Sequence, residues 1–241
     1  MRVVIGGMVR SGSTFSFNIA REVLLRSGAV ATASANAFPA DWAKDSHDHF
    51  ILKTHAPEPA VTQEIQAGTV VCICTLRKPE DAIASWIRAF GFDLENGIHA
   101  VKEWLAWYST VFPQILTIDY AAIDQAPQSV IAKIEQFITG TQSVETSRAL
   151  AAKYDKSVLK SRLDELRDDT NTTNIGFSYY DKETFFHRRH ISSEQSISAS
   201  ATLADTEIKQ IRRALAMFLD EHGELLVEQC AAAGDQPKKI E

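Results

Sequence analysis

Gly7-Met8-Val9-Arg10-Ser11-Gly12-Ser13-Thr14 has the residue types and the spacing of an anion-holding loop. It follows the apolar run Val3-Val4-Ile5 and precedes a helix-forming stretch. Gly7, four residues, Gly12, one residue and Thr14 make the frame of a phosphate-binding loop. In such a loop, backbone N–H groups at a helix N-terminus point at phosphate oxygens. The residue between Gly12 and Thr14, which is lysine in an ATP or GTP site, is Ser13. That lysine reaches the β- and γ-phosphates. Its absence argues against triphosphate hydrolysis and against a small-molecule kinase. The loop amides, the Ser13 and Thr14 hydroxyls and the Arg10 guanidinium remain to hold a smaller anion. The plain alternative is a Ser/Thr cap after an ordinary strand–helix turn.

Three more clusters bear chemistry. Lys53 and His55 are two apart where an apolar run ends, so in an extended segment they share one face. Histidine can take a proton from a hydroxyl near neutral pH. Lysine can neutralise charge growing on a leaving phosphate oxygen. Arg77 leaves the next apolar run, and Ser85 lies eight residues later on a predicted helix. An arginine and a serine can clamp a second phosphate by charge-assisted bonds. Lys78 adds a neighbouring point charge. Phe185-Phe186-His187-Arg188-Arg189-His190 is a compact basic strip that could cover a diphosphorylated nucleotide. The plain alternatives are a solvated polar loop for Lys53 and His55, and an exposed loop arginine with a serine tolerated in a helix for Arg77 and Ser85; a bland charge run at 187–190 would more often mix signs.

These motifs together resemble the sulfotransferases that use 3'-phosphoadenosine 5'-phosphosulfate (PAPS). Arg10-Ser11-Gly12-Ser13-Thr14-Phe15 is similar to the family's 5'-phosphosulfate loop, with arginine where the family usually has lysine. Lys53-Thr54-His55-Ala56-Pro57 resembles the loop carrying its catalytic lysine and histidine. Arg77 and Ser85 match its 3'-phosphate pair, within Arg77-Lys78-Pro79-Glu80-Asp81. Asp119-Tyr120 resembles the pair closing a later strand. Phe186 to His190 looks like a degenerate form of the late segment over the 3'-phosphate, without its glycine. The resemblance implies sulfuryl transfer from PAPS to a hydroxyl of a small-molecule acceptor, leaving adenosine 3',5'-diphosphate (PAP). His55 is then the base. Lys53, Arg10 and the loop amides hold the departing phosphate. Arg77, Ser85, Arg188 and Arg189 hold the nucleotide, and no metal is required. A carbohydrate acceptor, or a non-catalytic nucleotide-binding module of the same fold, is the alternative.

The elements that must position these residues alternate. Strands are predicted at residues 2–6, 50–53, 69–76 and 115–118, with a short one within 29–48. Helices are predicted at 14–27 with Gly28 as cap, from Pro79, at 97–110, at 128–138 and at 205–230. This implies an α/β, P-loop-type doubly wound parallel sheet flanked by helices. Its three strand exits, at 7–14, 53–57 and 76–85, can converge at one sheet end. Residues 29–48 and 91–110, with the aromatics Phe15, Phe38, Trp42, Trp86, Phe90 and Tyr108, are candidates for the acceptor pocket.

The 241 residues suffice for one core, read as a single domain over 1–233 with a flexible tail at 234–241. The net charge of -6 offers no general attraction to nucleic acid or to an anionic membrane. Cys72 and Cys74 alternate within an apolar strand and read as buried structural thiols, which suits a reducing compartment. No signal peptide or apolar run long enough to span a bilayer is visible, so a cytoplasmic protein is expected.

Overall fold

The computed structural model describes residues 1–44, 46–174, 179–191, 197–220 and 225. The main sheet has β1 (Arg2–Gly7), β2 (Val30–Ser34), β3 (His49–Thr54), β4 (Val71–Leu76) and β5 (Leu116–Asp119), in the order β2-β3-β1-β4-β5. Every neighbouring pair is parallel. From β1 the chain goes to the edge strand β2, returns inward to β3 beside β1, and then crosses to β4 and β5 on the other side. The reversal beside β1 leaves a crevice at the C-terminal strand ends. The loops leaving β1, β3 and β4 open there.

Strand residues alternate between two cores. Val3, Ile5, Ile51, Val71 and Ile73 face one way, while Val4, Leu52, Cys72 and Cys74 face the other. The register matches them in rows, Val3 beside Ile51 and Val71, Val4 beside Leu52 and Cys72. A sheet buried on both faces needs apolar residues at every position, which explains the unbroken run Val71–Leu76. Cys72 and Cys74 are buried with sulfurs 3.9 Å apart, on one face as expected.

The helices are α1 (Ser13–Leu24), α2 (Pro59–Gln66), α3 (Pro79–Phe90), α4 (Leu94–Val111), α5 (Tyr120–Gln125), α6 (Pro127–Thr139), α7 (Val144–Lys153), α8 (Lys156–Asp164) and α9 (Asp205–Ala214). Helices α1, α6, α7 and α8 pack on the Val3 face through residues such as Phe17, Ile134, Leu150 and Leu159. Helices α2, α3, α4 and α9 pack on the other through Ile65, Ile83, Trp104 and Ile211. Strands β6 (Thr172–Asn174) and β7 (Tyr179–Asp181) form a small antiparallel pair. No helix among the described residues is long and apolar enough to cross a membrane.

Some expectations need correction. Helix α1 ends at Leu24 with Leu25 as its cap, so Gly28 does not cap it. The expected last helix stops at Ala214; a 3-10 turn at Ala216–Phe218 follows, and Leu219 is extended. Its continuation to Cys230 and the tail at 234–241 lie outside the described residues.

Candidate active site

The β1–α1 loop is built by close backbone approach. A Cβ on Gly7 would lie 2.3 Å from Ser13 Cβ and 2.6 Å from Thr75 Oγ1, so the loop cannot curl with any larger residue there. Gly12 caps α1 in the left-handed region at φ 88, with no side-chain hydrogen bond to the helix end. The amides of a first turn have no intrahelical acceptor. Here they sit where Gly12, Ser13, Thr14 and Phe15 line a cavity of about 720 Å³. Arg10 also has positive φ, 60, a strained conformation for a non-glycine residue. Ser11 is turned into the protein. Its side chain is fully buried, with Oγ 2.6 Å from the Met8 carbonyl and 2.6 Å from Thr75 Oγ1. The Ser11 hydroxyl therefore ties the loop to β4 and does not line the cavity.

Lys53 is the penultimate residue of β3, with its ammonium buried, which lowers its pKa to about 8. His55 follows. Its Nδ1 lies 2.6 Å from the Gly7 carbonyl, which can only accept, so Nδ1 carries the proton. Its Nε2 accepts from Lys53 Nζ at 3.4 Å. Solvent reaches the ring through the cavity, while protein packs closely around it. Burial first and then the Lys53 ammonium push its pKa well below the ordinary value, opposed by the Gly7 hydrogen bond. His55 is thus a neutral base with its lone pair on Nε2.

Arg77 leaves β4 and donates to the Arg10 carbonyl at 3.3 Å. Its guanidinium sits 4.2 Å over the Tyr120 ring, at the start of α5. Arg10 Nε donates to Ser85 Oγ at 3.1 Å. Burial and then Arg77 lower the Arg10 pKa to about 10. The residues read as two phosphate sites thus meet, with Arg10 between the Lys53–His55 pair and the Arg77–Ser85 pair.

In the late basic strip the histidines face the cavity and the arginines do not. Arg188 donates to the carbonyls of Leu163, Asp164 and Leu166 at 3.2, 3.0 and 3.0 Å. Arg189 donates to the Ala89 carbonyl at 2.9 Å. Neither is among the residues that line the cavity. In the 3-10 turn at Arg188–His190, Arg188 reaches the end of α8, while Arg189 lies against α3 with its guanidinium 6.0 Å from the Phe90 ring centroid. His187 and His190 line the cavity with ring centroids 3.8 Å apart. The His187 N–H donates to His190 Nδ1, which leaves a proton on His190 Nε2, 3.3 Å from Thr14 Oγ1. Burial, then neighbouring cationic groups, lower the pKa of both; His187 falls to about 4.

Of the predicted aromatics, Phe15, Trp86 and Phe90 line the cavity. Tyr108 is core, stacked on Trp104 at 4.9 Å, and Phe38 and Trp42 pack near Arg2 and Phe50. Ser34 is the contribution of residues 29–48, and residues 91–110 supply none of the lining. Sequence reasoning missed Arg88, Tyr154, Lys156 and Tyr180. Arg88 was legible as the residue one helical turn after Ser85. Tyr154 and Lys156 flank Asp155, which caps α8 by accepting from the Ser157 N–H at 2.9 Å. Lys156 pairs with Asp124. Five cationic side chains, Arg10, Lys53, Arg77, Arg88 and Lys156, against two carboxylates, Asp124 and Asp155, make the cavity basic in an acidic chain.

No protein-family model and no curated protein sequence matches this chain. Solved structures do match in fold. Mouse sulfotransferase SULT7A1 complexed with PAP aligns at 12% identity and TM-score 0.63, covering 95% of this chain and 88% of that one. Retinol dehydratase with retinol and PAP aligns at 14% identity and TM-score 0.58, covering 90% and 80%. Retinol dehydratase with androsterone and inactive cofactor PAP aligns at 13% identity and TM-score 0.56, also covering 90% and 80%. At these identities the likeness is one of fold: the chain shares the doubly wound architecture of these three PAP-bound structures.

Proposed function

We propose that this protein is a PAPS-dependent sulfotransferase acting on a hydroxyl of a small-molecule acceptor. One observation carries the reading. A single basic cavity joins a lysine-free phosphate loop, a neutral histidine beside a buried lysine, and a separate arginine–serine pair. Two anion positions bridged by Arg10 suit a donor with a 5'- and a 3'-phosphate. The site residues of this reading are Arg10, Gly12, Ser13, Thr14, Phe15, Lys53, His55, Arg77 and Ser85. The Ser11 side chain acts only through the loop's shape.

When bound, PAPS supplies a sulfuryl group carried on a phosphate leaving group. The α1 first-turn amides and the Ser13 and Thr14 hydroxyls hold that phosphate. Lys53 turns from His55 Nε2 to the leaving oxygen and neutralises its growing charge. That movement frees the Nε2 lone pair, which takes the acceptor hydroxyl proton. The Gly7 carbonyl holds the ring in place and stabilises the imidazolium through Nδ1–H. The remaining space, bordered by Trp86, Phe90 and Tyr180, is left for the acceptor.

Transfer from radiolabelled PAPS across phenols, aliphatic alcohols and sugars tests the reading. Labelling of a small alcohol or phenol supports it. Labelling of a long glycan alone makes it a carbohydrate sulfotransferase. Tight PAP binding with no transfer across the whole set makes it a binding module.

A further inference from the structure

Arg88 has no part in the reading above, yet it lines the same cavity as Arg77 and Ser85. It lies three residues after Ser85 on α3, so the two side chains share a helix face. Its guanidinium bonds Thr202 Oγ1 and lies 3.4 Å from the Ile197 carbonyl. Arg77 is close enough to depress its pKa, after burial, while Asp81 acts the other way. Arg10 feels both Arg77 and Arg88. Three guanidinium groups therefore converge. Among the described residues none of the three forms an ion pair with a carboxylate. Like charges held together in a partly buried place cost free energy that an anion between them relieves. The residues expected to supply such cations, Arg188 and Arg189, bond backbone carbonyls instead.

We propose that Arg88 is a specificity-determining ligand for the second phosphate of the donor, completing with Arg77 and Ser85 a site selective for a nucleotide bisphosphate. This rests on the two-phosphate reading of the cavity. The guanidinium exchanges a hydroxyl and a carbonyl for phosphate oxygens, which bind it more strongly because both partners are charged.

Calorimetric affinities for PAP and for adenosine 5'-monophosphate test this in the wild type, Arg88→Gln, Arg88→Lys and Thr202→Val, with thermal melts of each. The wild type should prefer PAP. Arg88→Gln should reduce that preference by about 10- to 100-fold, the worth of one charged hydrogen-bonding group, with little change in monophosphate affinity. Arg88→Lys should keep part of the preference, and Thr202→Val should keep it all. If Arg88→Gln or Arg88→Lys weakens both nucleotides equally, or Thr202→Val reproduces the loss, Arg88 only anchors the 197–202 segment and the proposal fails. An unchanged preference in Arg88→Gln overturns it too. A wild type that does not prefer PAP overturns the two-phosphate reading itself, and Arg88 with it.

Discussion

His55 Nδ1 and the Gly7 carbonyl oxygen are 2.6 Å apart, so the loop that holds the phosphate also orients the base. The two residues come from the ends of adjacent parallel strands, β1 and β3. Binding of the donor and placement of the base are therefore one structural problem. A distortion of the loop backbone should damage both.

Gly7→Ala tests that coupling. The added Cβ meets Ser13 Cβ at 2.3 Å, and the obstacle is helix α1 itself, not the free end of a side chain. The variant should be less stable by about 1–3 kcal/mol, the usual cost of overpacking. Its PAP affinity should fall at the same time. A folded variant with wild-type PAP affinity would show that the loop does not bind the phosphate.

Lys53 sets an alkaline limit. Its pKa in the unliganded protein is lowered to about 8 by burial, so its charge is lost as pH rises through that value. The pH dependence of kcat/KM reports free-enzyme groups. It should decline near pH 8, and Lys53→Arg, whose charge persists, should remove that decline. The same alkaline limb in both proteins would exclude Lys53 as its source.

The cavity histidines should make the empty protein acid-sensitive. His55, His187 and His190 all have pKa values lowered from 6.5. Below that value the unfolded chain binds protons that the folded one does not, so stability falls as pH falls. Melting temperature without ligand should drop between about pH 6.5 and pH 5, above the ordinary range of carboxylates. PAP should reduce the drop, because an anion favours the imidazolium forms. His190→Gln should also flatten it. A melting temperature that stays flat over this window would contradict neutral cavity histidines.

Where the sequence was informative, one local signal decided each feature. Unbroken apolar runs marked β1 and β4, and the glycine spacing marked the loop between β1 and α1. Strand exits place Lys53, His55 and Arg77 at one end of the sheet. Helices α2, α5, α7 and α8 were missed because they are short and their apolar positions few. Their caps were readable: Ser143 accepts from the Thr146 N–H at 3.2 Å, and Asp155 does the same for α8. The direction of Arg188 was not readable. The turn at Arg188–His190 follows from contacts with α8 and α3, more than 20 residues away in sequence, which no local pattern encodes.

Single-turnover transfer from PAPS to a responsive acceptor, in the wild type and in His55→Ala, addresses the central claim most directly. The account predicts a chemical step slowed by about 10²–10⁴-fold, the usual worth of a positioned base, with PAP affinity nearly unchanged. Transfer at the wild-type rate in His55→Ala would contradict it, and the base would have to be sought at His187 or His190.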